Sequence, residues 1–433
     1  MKSIFILFLC ICLSIKGFSQ DVPTPAPAQD KAILIKNATI HIGNGEVLMN
    51  ANLLLDKGKI TFIGTGEAPN STGAEMIDAT GKHLYPGLIA PNTILGLSEI
   101  EAARPTRDFI EVGEINPNAR ALIGYNTDSR VTPTIRSNGI LLTQIAPQGG
   151  LIAGQSSIVQ LDAWNWEDAA YSTDDGLHIY YPTLQSYETK DATKKQEQLK
   201  QIEDNIQRLQ QAFADAESYR KMKEYGDLKA VDLRWESMIS YLKGDKRVYL
   251  HADNCKQLQA ALSWAKSYNL KIVVIGAKDA VNCLNLLKES KVSVVLTDVH
   301  SLPSRQDDAV DAPFRLPSQL QAAGIPFCLS MDGMWQQRNL SFQAGTAAAY
   351  GLSKEQALRA ITLSPAEIMG ISDRTGSLEV GKDANLLIVA GDILDMRTAK
   401  VEQAFIQGRK INLGNKQKDL YKKFEEKYGR KGE

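Results

Sequence analysis

The stretch His83-Leu84-Tyr85-Pro86-Gly87-Leu88-Ile89-Ala90-Pro91-Asn92-Thr93-Ile94-Leu95-Gly96-Leu97 constrains this chain more than any other. It reads as an apolar strand entered through a Pro-Gly turn and ending in a polar tip, so it is a strand buried on both faces that hands its last side chains to a pocket. Strands of that kind belong to sheets covered by helices. The 433 residues, 43% of them hydrophobic, are enough for a large core and more than one structural unit. A formal charge of -1 gives no footprint for nucleic acid.

Downstream, strand and helix patterns alternate. Arg247 to His251 precedes a helix over Lys256 to Tyr268, Lys271 to Ile275 precedes one over Ala280 to Glu289, and Val292 to Leu296 precedes one over Pro317 to Ala323. Ile325 to Ser330 then leads into Met331-Asp332. Apolar strands alternating with amphipathic helices imply parallel pairing, which a closed barrel or a doubly wound open sheet would satisfy. No Gly-x-Gly-x-x-Gly fingerprint supports the open sheet. Short β-rich runs broken by Gly43-Asn44-Gly45 and Asp56-Lys57-Gly58 occupy Ala32 to Ile63, and the same style returns at Ala384 to Val389 and Val401 to Arg409. Two terminal hairpin regions most simply close one small β domain around what lies between.

Four further segments have their own character. Met1 to Ser19 has a basic start, an apolar run from Ile4 to Ile15 and small residues after it, as in a secretory signal; the run is too short for a membrane span. A lipoprotein signal using Cys10 or Cys12 is the rival reading. Residues 20–30, with Pro23, Pro25 and Pro27, read as a flexible tether. Residues 190–244 read as a helical insertion, with Leu199, Ile202, Ile206, Leu209, Phe213 and Ala216 at spacings of three and four, for packing or dimer contact. Residues 414–433 form a basic tail. Without the leader, Cys255, Cys283 and Cys328 remain, an odd number in regular apolar segments, read as small buried hydrophobes.

The first-strand stretch, the segment Ile325 to Gly333 and Gly376-Ser377-Leu378-Glu379-Val380-Gly381-Lys382-Asp383-Ala384-Asn385-Leu386 together resemble the amidohydrolase superfamily, in particular its imidazolonepropionase-like branch. The resemblance implies an α/β fold: a TIM-like (β/α)8 barrel over 86–376 plus a small β-sandwich formed by both chain ends, 31–85 and 377–413. It also implies hydrolysis of carbon–nitrogen bonds other than ordinary peptide bonds, by a metal-bound water at the barrel mouth.

The same resemblance places metal ligands at His-x-His on the first strand, His on the fifth and sixth, and Asp on the eighth. His251 and Asp332 match, while Asn92, Ile94 and Gly276 stand where histidines are expected. Two protein ligands are fewer than the three a catalytic zinc uses. Asn92 and His300 are candidates to repair the set, with Asp253, Asp298 and Glu99 as further oxygen donors; one divalent ion such as zinc, or none, are both open. If a site remains, Asp332 is the candidate general base and His251 the group that polarises a carbonyl or holds water. Trp164 and Trp166, at the outlet of the strand Ser157 to Leu161, are candidates with Asn92 for a pocket wall. The charged excursion Ser98 to Asn138 is expected over the mouth.

The functional expectation is an exported hydrolase, periplasmic or extracellular, acting on a small molecule. The alternative is a non-catalytic binding or assembly partner of an active paralogue, and homo-oligomers fit either reading.

Overall fold

The structure is a computed structural model describing residues 24–186, 191–303 and 305–429. The expected leader, residues 1–19, lies outside the described residues. Two sheets organise the chain. The first holds β1 (Ile33–His41), β2 (Val47–Asp56), β3 (Lys59–Gly64), β4 (Glu75–Asp78) and β5 (His83–Pro86) from the beginning of the chain. It is completed by β14 (Leu386–Val389), β15 (Val401–Ile406) and β16 (Arg409–Lys410) from the end, in the order β16-β15-β14-β5-β1-β2-β3 with β4 also paired to β1. The β2–β3 turn shows how sequence dictates this sheet. Asp56 pairs with Lys59, leaving Lys57 and Gly58 as a two-residue loop, both at positive φ (48° and 79°), the hand that matches strand twist. Ile35, Ile40, Leu53, Leu55, Leu84, Leu386 and Phe405 fill its core.

The second sheet runs β13-β12-β11-β10-β9-β8-β7-β6. Its strands are β6 (Leu88–Thr93), β7 (Ile140–Ile145), β8 (Ile152–Gln160), β9 (Ala170–Tyr180), β10 (Arg247–Ala252), β11 (Lys271–Gly276), β12 (Ser293–Thr297) and β13 (Phe327–Ser330). The Ser330 hydroxyl on β13 donates to the Pro91 carbonyl on β6 at 2.6 Å, so the first and last strands meet across a seam in a nearly closed eight-stranded barrel. The expected TIM-like barrel with a second sheet from both ends is therefore present.

One strand departs from the expected all-parallel ring. β8 is antiparallel to both β7 and β9. The Gly149-Gly150 joint, both residues at positive φ, turns the chain back directly, and an antiparallel neighbour needs no crossover helix.

The helical insertion is a 34-residue helix, Ala192–Tyr225, capped by the Asp191 side chain and ended by Gly226 at φ 79°, then a second helix, Leu233–Leu242. The buried stripe is Leu209, Ala212, Phe213, Ala216 and Tyr219. Phe213 meets the ring of Trp264 edge-on at 4.7 Å and Tyr268 at 5.1 Å. Leu199, expected in the stripe, is exposed, because the first turns of the helix bury no side chain.

The segment read as a flexible tether is, from residue 24 on, tied down. The Ala26 amide donates to Asp162 Oδ2 and its carbonyl accepts from Arg409. Asp162 is itself buried between Arg136 (2.6 Å) and Arg409 (2.9 Å), so one carboxylate joins the chain start, the barrel and β16. The tail is a helix, Lys416–Tyr428, with no buried residue.

Candidate active site

The carboxyl ends of β6, β9, β10, β11, β12 and β13 surround one cavity of about 620 Å³. Its wall includes Asn92, Tyr180, His251, Asp253, Lys278 and Asp332, and from the loops Ile110 and the Gln148-Gly149-Gly150 turn. The charged excursion thus contributes at least Ile110 to the mouth. Backbone conformation aims this rim. Asn92 (φ 53°), Gly276 (φ 99°), Ala277 (φ 52°) and Asp298 (φ 49°) all sit at or just past a strand end in the left-handed region, where a bend turns the chain sharply out of the sheet.

On β10, His251 is half-buried and lies flat against Tyr180, ring centroids 3.9 Å apart at 16°. Its Nε2 pairs with Nδ1 of His178 at 3.0 Å. Burial pushes His251 down to about 3, and His178, fully buried with no partner for Nε2 among the described residues, well below its usual range. Both rings are therefore neutral, one nitrogen of the pair donating and the other accepting. Across the cavity Asp332 stands open to solvent at the end of β13, its amide donating to Asp298 Oδ1 at 3.2 Å. Partial burial raises its carboxyl to about 6, with the neighbouring Asp298 carboxylate adding to the rise and Lys278 opposing it.

Below the mouth, a polar plug holds the strands in place. Asp175 on β9 accepts from Gln144 Nε2 (2.8 Å), Ser156 Oγ (2.8 Å) and Tyr249 OH (2.7 Å), and burial raises its carboxyl above the usual range. Gln144 Oε1 in turn accepts from the Asn92 amide at 3.0 Å, which fixes the tip of β6. Asn92 lines the cavity at that tip, and its Oδ1 is buried with no hydrogen-bond partner among the described residues.

Asn92, His251 and Asp332 all line this one cavity. His300 is not among the cavity-lining residues: its Nε2 meets Thr346 Oγ1 at 2.6 Å and its ring stands edge-on to Phe314. Trp164 and Trp166 do not line the cavity either, and Trp164 is largely exposed. The reason is strand direction. They follow β8, the antiparallel strand, whose carboxyl end opens at the opposite face of the barrel. Tyr180, His178 and Lys278 were missed. Tyr180 and His178 are two residues apart on one strand, the spacing that puts both on one face.

The donor set can be compared with the zinc site that the resemblance implies. Gly276 ends β11, and a Cβ there would lie 2.4 Å from Asp253 Oδ1, so no side chain of any kind, histidine included, fits without displacing that carboxylate. Ile94 offers no donor atom, and Asn92 is a neutral amide. Among the described residues no three His, Cys, Asp or Glu side chains are placed to hold a metal ion. These residues do not fit a catalytic zinc, which takes three protein ligands.

The amidohydrolase family profile matches residues 237–411, the run from the second insertion helix through β16 that carries His251 and Asp332. A solved amidohydrolase from Thermotoga maritima superposes with a TM-score of 0.75 over 87% of this chain and 99% of its own, at 24% identity. Residues 237–411 of this chain are an amidohydrolase family domain. Among curated relatives, the amidohydrolase tasK of Hapsidospora irregularis is 21% identical over 427 residues, 87% of this chain, which spans only 43% of that protein's length. A dihydroorotase from Mycobacterium bovis is 25% identical over 389 residues, 81% of this chain and 87% of its own. Asp253, Lys278, Asp298 and Asp332 all lie just past the last residue of a strand, whereas His251 and Tyr180 stand on the strands themselves.

Proposed function

We propose that this chain is an exported hydrolase that opens a carbon–nitrogen bond in a small amide or cyclic amide, using Asp332 and His251 in place of a zinc centre. The observation that carries the reading is the pairing, across one cavity, of a carboxylate tuned to about 6 with an imidazole held neutral. A general base works best when its pKa lies near the operating pH, and enzymes reach that value by burial and like charge, the two causes acting on Asp332.

In this mechanism the ionised Asp332 takes a proton from water as the oxygen attacks the carbonyl carbon. Lys278, the cation on the same rim, stabilises the oxyanion that develops. The proton held by Asp332 then passes to the leaving nitrogen, and the carbon–nitrogen bond breaks to give a carboxylic acid and an amine. His251, locked flat by Tyr180 and paired with His178, holds the substrate carbonyl or the water without gaining charge. Relatives named dihydroorotase, D-hydantoinase and imidazolonepropionase suggest the first substrates to try.

The test is hydrolysis of dihydroorotate, hydantoins and imidazolonepropionate by the purified mature chain, with and without 1,10-phenanthroline. Turnover that survives chelation and falls at least 100-fold in Asp332→Asn is expected. Turnover that requires added zinc would overturn the reading, as would the absence of turnover across the panel, which would favour a binding role. Export rests on the composition of residues 1–19. Recovery of the chain in a periplasmic or culture fraction, with its new amino terminus near residue 20, checks it.

A further inference from the structure

The loops after β10 and β11 bring two thiols together. Cys255 is the first residue of the helix Cys255–Ser267, behind the Asn254 cap, and Cys283 closes the 3-10 turn Ala280–Cys283. Asp279 binds both: its Oδ2 accepts from the Cys255 amide at 3.3 Å and its carbonyl from Cys283 Sγ at 3.9 Å. Cys255 Sγ in turn donates to the carbonyl of Asn282, the residue next to Cys283, at 3.7 Å. Both thiols therefore meet the backbone of the same Asp279–Cys283 turn, and Cys255 is close enough to raise the Cys283 thiol further. Cys328, the third thiol, is fully buried on β13 in a separate cluster. The odd count therefore resolves into two neighbouring thiols and one remote thiol, and Cys255 is half-buried, not the fully buried residue its sequence context suggested.

We propose that Cys255 and Cys283 are a redox pair that closes to a disulfide by exchange with a low-molecular-weight disulfide. Cys255, the member that solvent reaches, attacks one sulfur of the oxidant and releases one small thiol, leaving a mixed disulfide. The Cys283 sulfur then displaces the second small thiol as the intramolecular bond forms. The oxidant gains the two electrons and two protons that the protein thiols lose. Exposure sets the order, and burial, which pushes the Cys283 thiol up to about 12, makes it the slower first nucleophile. The new bond ties the loop bearing Asp253 to the loop bearing Lys278, so oxidation stiffens the rim of the cavity. An oxidising compartment would hold it closed. The thiol chemistry is independent of the catalytic proposal, and neither outcome below depends on a substrate.

The experiment incubates the purified mature chain with oxidised glutathione, alkylates free thiols with iodoacetamide, digests without reduction and reads the peptides by mass spectrometry. A cross-linked pair through Cys255 and Cys283, two hydrogens lighter than the sum of its parts, is expected, with no glutathione adduct on Cys328. A rise in thermal midpoint of roughly 4 °C should accompany it, reversed by dithiothreitol. Cys255→Ser and Cys283→Ala, each checked for the midpoint of the reduced protein, should lack the rise. Recovery of Cys255 and Cys283 both alkylated, or of a stable glutathione adduct on Cys255 beside alkylated Cys283, overturns the pair.

Discussion

Replacing Asp332 by Asn tests the electrostatics of the mouth in one residue. The wild-type carboxyl is raised from 3.8 to about 6, a difference worth about 3 kcal/mol against the charged form at neutral pH. Because this side chain is open to solvent, screening leaves roughly 1–2 kcal/mol of native-state destabilisation at pH 8. The sign follows from proton binding. Between pH 4 and 6 the folded chain holds a proton on Asp332 that the unfolded chain has released, so stability falls as pH rises through that window. Asn carries no charge at any pH. Asp332→Asn should therefore be more stable than wild type by about 1–2 kcal/mol at pH 8 and should converge on it below pH 4. Urea denaturation of both proteins at the two pH values reads the difference directly. Hydrolysis, measured in parallel, should be lost. A variant that is less stable at pH 8, or whose advantage is the same at pH 4, would refute the raised carboxyl and with it the assignment of Asp332 as base.

Other consequences can be checked separately. For wild type, kcat/KM should rise tenfold per pH unit below about 6 and level off above it, with no second limb from His251, which stays neutral down to about 3. Gly276→His, the change that would restore the sixth-strand ligand, should lower stability by on the order of 1–3 kcal/mol in urea melts and bind no zinc by elemental analysis, since the φ 99° backbone strains any β-carbon and the new Cβ pushes the Asp253 carboxylate aside. Asp162→Ala should cost about 3–5 kcal/mol by the same melts, because it strands the Arg136 and Arg409 guanidiniums beside each other. Phe213→Ala should cost about 3 kcal/mol and expose the Ala192–Tyr225 helix to proteolysis, having emptied its contact with Trp264.

Local pattern alone settled the elements of this chain. The apolar run into Asn92, the alternation after Arg247 and the Lys57-Gly58 turn each have one comfortable backbone solution, and short-range sterics enforce it. That His251 and Asp332 stand at the same end of the barrel was legible because parallel strands deliver their last residues to one end. The antiparallel course of β8 was not legible: strand propensity carries no direction, and only pairing with β7 and β9 sends Trp164 and Trp166 to the far face. Nor could spacing reveal the groups that tune the site. Tyr180 reaches His251, Asp298 reaches Asp332 and Cys283 reaches Cys255 through side-by-side strands whose separation along the chain is arbitrary. Charge, burial and thiol proximity are properties of that assembled rim, so tertiary structure decided the chemistry where sequence had decided the frame.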